Sequence, residues 1–158
     1  MIANSILGLK FGSVITAEPS RVILIVEDND DNREIYSTLL KAYGFVVREA
    51  SRAEAGIAIA KSEHPALVLM DIGLPNMDGV EATRRLKGDA ETMEIPVLAL
   101  TAHGLLAERQ RAANAGVDGY LVKPVSGATL IREVEEALAR GSTRSGGGET
   151  NPVRRVRE

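Results

Sequence analysis

The chain has 158 residues, enough for one domain with a full core but crowded for two, and a domain of that size buries roughly 68–70 % of its unfolded surface. Its formal net charge of −3 argues against a nucleic-acid binder, which would carry a basic face, and gives no bulk positive field to draw in acidic substrates. With no cysteine, disulfide frameworks and thiolate metal sites are excluded, and the cytoplasm is the default compartment.

Residues 1–20 are mildly apolar, yet Asn4, Ser5, Gly8, Lys10, Gly12 and Ser13 interrupt any run able to span a bilayer. Lys10 lies inside the apolar stretch, whereas a signal peptide places its positive charge ahead of it. A loose N-terminal extension is the reading. Val22 to Val26 is then a continuous apolar run, the first strand, and it ends at Glu27-Asp28. The acidic cluster from Glu27 to Asn32 opens a helix, where anions suit the dipole, and Asp31 with Glu34 has the spacing of a capping box. Gly44 marks its end.

Phe45 to Val47 is the second strand, and Ser51 with Glu54 starts the second helix by the same spacing. Ala66 to Met70 is the third strand. It runs into Asp71, followed at once by Ile72-Gly73-Leu74-Pro75, a loop that stops the strand. A buried strand that ends on a carboxylate needs a cation there, because an unpaired buried charge is expensive. Asp78 with Glu81 opens the third helix. Val97 to Leu100 leads to Thr101, a helix follows to Gly116, and Tyr120 to Val122 leads to Lys123-Pro124. In the last helix Leu130, Val134, Ala137 and Leu138 share one face, and Gly141 marks its end. Residues 141–158 are Gly/Ser-rich, then basic with Arg154, Arg155 and Arg157, a composition that builds no core and reads as a flexible tail.

Five strands alternating with five helices predict an α/β domain over residues 21–140, a doubly wound parallel sheet in a three-layer α/β/α arrangement. Right-handed crossovers bring every strand's C-terminal end to one edge, the edge where open α/β sheets bind ligands. Glu27, Asp28, Asp71, Thr101 and Lys123 therefore converge, although they span almost a hundred residues.

In Val26-Glu27-Asp28-Asn29, Met70-Asp71-Ile72-Gly73-Leu74-Pro75 with Met77-Asp78-Gly79, Leu100-Thr101-Ala102 and Tyr120-Leu121-Val122-Lys123-Pro124, the chain resembles a CheY-type response-regulator receiver domain. The resemblance implies the flavodoxin-like strand order 2-1-3-4-5 and a stand-alone module of a two-component or phosphorelay system. It implies that Asp71 takes phosphoryl from the phosphohistidine of a histidine kinase or histidine phosphotransfer protein. Mg²⁺ is the implied cofactor, held by Asp28, Asp71 and the Gly73 backbone carbonyl, with Glu27 acting through water, a ligand set that suits a hard octahedral ion. Lys123 and Thr101 are then the cation and the hydroxyl donor for phosphoryl oxygens. Thr101 and Tyr120 are the switch pair, and an effector is expected on the face formed by the fourth helix, fifth strand and fifth helix. The resemblance also implies a cis bond before Pro124, and it implies catalysis only of the protein's own phosphorylation and dephosphorylation. Nucleic acid and membrane are not expected partners, and the expected state is a monomer or weak homodimer.

Other readings of the same residues are weaker. A Mg²⁺-dependent phosphohydrolase of the haloacid-dehalogenase type would use Asp28 as nucleophile and Asp30 as acid/base, but Pro124 to Leu130 lacks the acidic motif it needs after its lysine. A flavin carrier would need a phosphate-cradling loop after the first strand, where acids stand instead. Asp28, Asp30 and Asn32 imitate a calcium loop, but Arg33 and Leu39 replace its Gly and its closing Glu. His64 and His103 have no second ligand at metal spacing.

Overall fold

The computed structural model describes residues 21–144; the expected N-terminal extension and residues 145–158 of the expected tail lie outside them. Five strands are present, β1 (Val22–Val26), β2 (Val46–Ala50), β3 (Leu67–Asp71), β4 (Val97–Thr101) and β5 (Gly119–Val122). All pair in parallel in the order β2-β1-β3-β4-β5, as the resemblance implies. The crossovers are α1 (Asp30–Ala42), α2 (Ala53–Glu63), α3 (Gly79–Lys87), α4 (Leu106–Ala115) and α5 (Gly127–Arg144).

The central strands read as uninterrupted apolar runs because both of their faces are covered. Ile23, Ile25, Leu67, Leu69, Leu98 and Leu100 point to one side, where Tyr36 and Leu40 of α1 and Leu130, Val134 and Ala137 of α5 meet them. Leu24, Val26, Val68, Met70 and Val97 point to the other, against Ala53 and Ala60 of α2 and Ala82 and Leu86 of α3. Ala99 packs with Ala112 and Ala115 of α4 on the same side. The alternation fixes strand register, since a slip of one residue would carry each core side chain to the wrong layer.

Three details of the sequence reading are corrected. The first helix is capped by Asn29, whose side chain accepts from Asn32 N at 2.8 Å, not by Asp31; an acceptor two residues earlier completes the cap before Asp31 is reached. The second is entered at Arg52 without a side-chain cap bond, so Ser51 does not cap it. Gly141 lies inside α5, which continues to Arg144, because no left-handed residue ends the helix at that point. The Asp78 cap is present, accepting from Glu81 N at 2.9 Å, and Gly116 closes α4 at φ +102°, a conformation that L residues with a Cβ rarely adopt.

Gly79 has a different reason. A Cβ there would lie 2.2 Å from the Asp71 carbonyl oxygen and 2.7 Å from Ile72 Cα, both backbone atoms that cannot turn aside. The first turn of α3 is thus pressed against the strand end that carries Asp71. Gly79→Ala should cost at least the ~1–3 kcal/mol of an overpacked site, read as a lower denaturant midpoint. A midpoint equal to that of the parent protein would show that the α3 contact is not tight.

Candidate functional site

The sheet's C-terminal edge gathers the expected residues. Val26 lies beside Met70 in the β1–β3 ladder, and Glu27 N donates to Ala50 O, so Glu27 leaves the sheet next to Asp71. Thr101 lies beside Val122 across β4 and β5, and Lys123 N donates to Thr101 O at 2.8 Å, which sets Lys123 at the same edge. The Lys123-Pro124 bond is cis, as the resemblance implies.

At the centre, Lys123 Nζ is 2.8 Å from Glu27 Oε2 and 3.1 Å from Asp71 Oδ2. Asp71 Oδ1 accepts from Gly73 N at 2.8 Å, so the strand-ending carboxylate is held from both sides. Glu27 is only 1 % exposed and Asp71 only 5 %, which explains why the ammonium is needed: neither anion has enough water around it. Glu27, Asp28 and Asp71 each offer a carboxylate oxygen, and these lie within 4.8 Å of one another, Asp28 from the solvent side. Three carboxylates against one ammonium leave the cluster net negative.

The titration behaviour follows from this imbalance. Burial pushes the Glu27 carboxyl above its ordinary value; the Lys123 ammonium offsets part of that and the Asp71 charge adds to it. Burial alone would lower the Lys123 ammonium, but its contacts with Glu27 and Asp71 outweigh burial and hold it above the usual lysine value. Glu27 Oε2 is buried, and the Lys123 ammonium at 2.8 Å is the cation it faces. Three carboxylates that one ammonium does not neutralise form an all-oxygen donor set that fits a hard divalent cation.

Thr101 and Tyr120 face elsewhere. Thr101 is buried, and its Oγ1 lies 2.7 Å from His103 O and 3.1 Å from Glu108 Oε2, while His103 N donates to it at 3.1 Å. Tyr120 donates its hydroxyl to the Arg109 carbonyl of α4, with the Arg109 guanidinium 5.9 Å from the ring centre. Both switch candidates are therefore bonded to α4 and its entry loop.

Residues 23–135 match the response regulator receiver domain family. The chain belongs to that family. The polar-differentiation response regulator DivK of Brucella ovis is 37 % identical over 120 residues, which cover 75 % of this chain and 97 % of DivK. A CheY-like response regulator receiver domain protein from Methanospirillum hungatei JF-1 superposes with a TM-score of 0.75 at 28 % identity, over 80 % of this chain and 99 % of that one. The receiver domain of a sensor histidine kinase from Pseudomonas aeruginosa PAO1, solved with a magnesium ion coordinated in its active site cleft, superposes at 0.72 with 30 % identity, over 77 % and 99 %. The receiver domain here is thus a signalling protein of the two-component class rather than a typical enzyme. The phosphohydrolase alternative finds no support in these similarities.

Three residues of the receiver domain's site were not singled out from sequence as parts of it. Arg33 donates to the Glu27 carbonyl at 2.8 Å and pairs with Asp30 and Glu49, tying the acidic loop to α1 and β2. Tyr36 is buried near the cluster; burial raises its phenol, and the charges of Lys123, Glu27 and Asp71 all reach it. Glu108 meets Thr101. Only Arg33 had a sequence signal, an arginine among acids at a helix start, and its role depends on the strand-end geometry.

Proposed function

We propose that Asp71 is the phosphoacceptor of this receiver domain, on one observation above the others: a nearly buried strand-end carboxylate with an ammonium 3.1 Å away, in a cluster of three carboxylates that still lacks positive charge. The phosphoryl group passes from the imidazole nitrogen of a histidine kinase or histidine phosphotransfer protein to an Asp71 oxygen; the P–N bond breaks as the P–O bond forms. Asp71 and the donor are both anionic, so their repulsion is the main barrier that the site must lower.

Asp28, Asp71 and the Gly73 carbonyl would hold Mg²⁺, with Glu27 acting through water. When bound, the ion supplies the positive charge that Lys123 alone does not. Lys123 steadies one phosphoryl oxygen and the Thr101 hydroxyl donates to another once it turns from α4. Leu105 and Leu106, 62 % and 72 % exposed, lie at the start of α4, and Val122 of β5 is also exposed; with Tyr120 bonded to Arg109 of α4 they support an effector surface on the α4, β5 and α5 face. Among the described residues no helix is long and apolar enough to cross a membrane, and cytoplasmic location belongs to this proposal.

A small acyl-phosphate donor with Mg²⁺ should add one phosphoryl group per chain, and chelation should stop the addition. Asp28→Asn should slow labelling at least tenfold at low Mg²⁺ and less at high Mg²⁺, because it weakens metal binding and leaves the nucleophile intact. Asp30→Asn should matter little, since Asp30 lies in the first turn of α1 and pairs with Arg33. Labelling that ignores chelator and Asp28 alike would contradict the metal assignment.

A further inference from the structure

The bonds of Thr101 raise a question of competition. A hydroxyl has one proton to donate, and here two acceptors, His103 O at 2.7 Å and Glu108 Oε2 at 3.1 Å, compete for it. One of the two is an anion, which makes the stronger acceptor when aligned. Glu108 is in the first turn of α4, where the helix dipole favours its charge. The N-cap of that helix is Leu105, which has no side-chain acceptor, and Leu105 and Leu106 stand exposed beside it. The Thr101–Glu108 contact thus links the end of β4 to the helix start that presents the apolar residues.

We propose that Glu108 is a positioning residue that holds the Thr101 hydroxyl on the α4 side and competes with the phosphoryl group for it. This rests on the reading of Thr101 as a phosphoryl ligand. A phosphoryl oxygen on Asp71 captures the Thr101 proton only by taking it from His103 O and Glu108. Glu108 then loses its tie to β4, and the first turn of α4, with Leu105 and Leu106, is free to shift. Glu108 therefore opposes the phosphorylated arrangement, and its removal biases the two-state equilibrium without touching Asp71, Lys123 or the acidic cluster.

Beryllofluoride with Mg²⁺ is the probe, a stable analogue of the acyl phosphate that binds without covalent turnover. Its affinity is measured for the parent chain, Glu108→Ala, Glu108→Gln, Thr101→Ala and Thr101→Ala combined with Glu108→Ala, with the Thr101 methyl and amide resonances followed in the unliganded proteins. Loss of one charge-assisted hydrogen bond should tighten binding about tenfold in Glu108→Ala. Glu108→Gln, which keeps a neutral acceptor, should give a smaller gain, and it decides the matter should the alanine variant fold poorly. In the Thr101→Ala background the Glu108 substitution should have no effect, and the Thr101 resonances should shift in both single Glu108 variants.

Unchanged affinity in the Glu108 variants, or the same gain with and without Thr101, would overturn the proposal. If Thr101→Ala itself leaves affinity unaltered, the reading of Thr101 fails and the competition with it. If Thr101→Ala weakens binding while the Glu108 variants match the parent, Thr101 stands as the ligand and only Glu108 is misassigned.

Discussion

Asp71→Asn should abolish phosphoryl labelling and leave the domain folded, at a stability equal to or above that of the parent. The amide oxygen can still accept from Gly73 N, so the loop after β3 keeps its anchor. What disappears is the nucleophile and one anion of a cluster in which Lys123 faces both Glu27 and Asp71. The Asp71 charge is one of the causes that raise the Glu27 carboxyl, after burial, so the substitution should also bring the Glu27 titration back toward its ordinary range. The sign of the stability effect follows by linkage. A carboxyl whose folded value is raised contributes stability that is fully present below its unfolded value and is lost as pH rises through the folded one. The parent should therefore lose stability from this group as pH climbs out of the acid range, and Asp71→Asn should lose less of it. Denaturant unfolding from pH 4 to pH 8 checks the slope, and phosphoryl incorporation checks the nucleophile. Persistent labelling of Asp71→Asn would remove the assignment.

Lys123→Ala should have the second large effect, and of opposite sign on stability. It leaves two almost fully buried carboxylates without their cation. Removing one member of a buried ion pair costs about 3–5 kcal/mol, here an upper figure because Glu27, already raised, can take up a proton. The defect should thus be larger at pH 8 than at pH 5. The Lys123 ammonium, itself raised, contributes stability that is present below the ordinary lysine value and lost only as pH passes above the folded one, so in the parent it is fully present across this range. Millimolar Mg²⁺ should restore part of the loss, since a ligand at about 100 times its Kd adds roughly 2.7 kcal/mol. Labelling should fall by about a hundredfold or more even when Mg²⁺ has restored stability, because one charge-stabilising contact of this kind is worth that much in the transition state. Equal melting temperatures for Lys123→Ala and the parent without Mg²⁺ would show that the cluster is not strained by its own charge.

Much of this arrangement is legible in the sequence. The strands β1, β3 and β4 stand out as apolar runs because both faces of a central parallel strand are covered, and the chemistry falls at their ends because crossovers leave those ends on one edge. The edge strand was harder. β2 was expected at Phe45 to Val47 but runs over Val46–Ala50, where the exposed Arg48 and Glu49 break the apolar signal; an edge strand that is buried at only Val47 and Ala50 does not require one. Helix starts failed where acceptors were crowded. Asn29, Asp30, Asp31 and Asn32 all have capping side chains, and only the backbone turn after β1 selects Asn29. The acidic pair, Asp71 and Lys123 were readable because burial forces opposite charges together. Glu108 was not, since it stands seven positions beyond Thr101 across an irregular loop, and no periodicity relates a loop's path to a helix's first turn.

The covalent site of the phosphoryl group is the most direct test of this account. The protein is labelled with a small acyl-phosphate donor and Mg²⁺, the acyl phosphate is reduced with borohydride, and the modified residue is located by mass spectrometry. A single reduced residue at position 71, absent when chelator is added before the donor, is the predicted result. Modification of Asp28 instead, or brisk turnover of assorted phosphomonoesters with no trapped adduct, would contradict it.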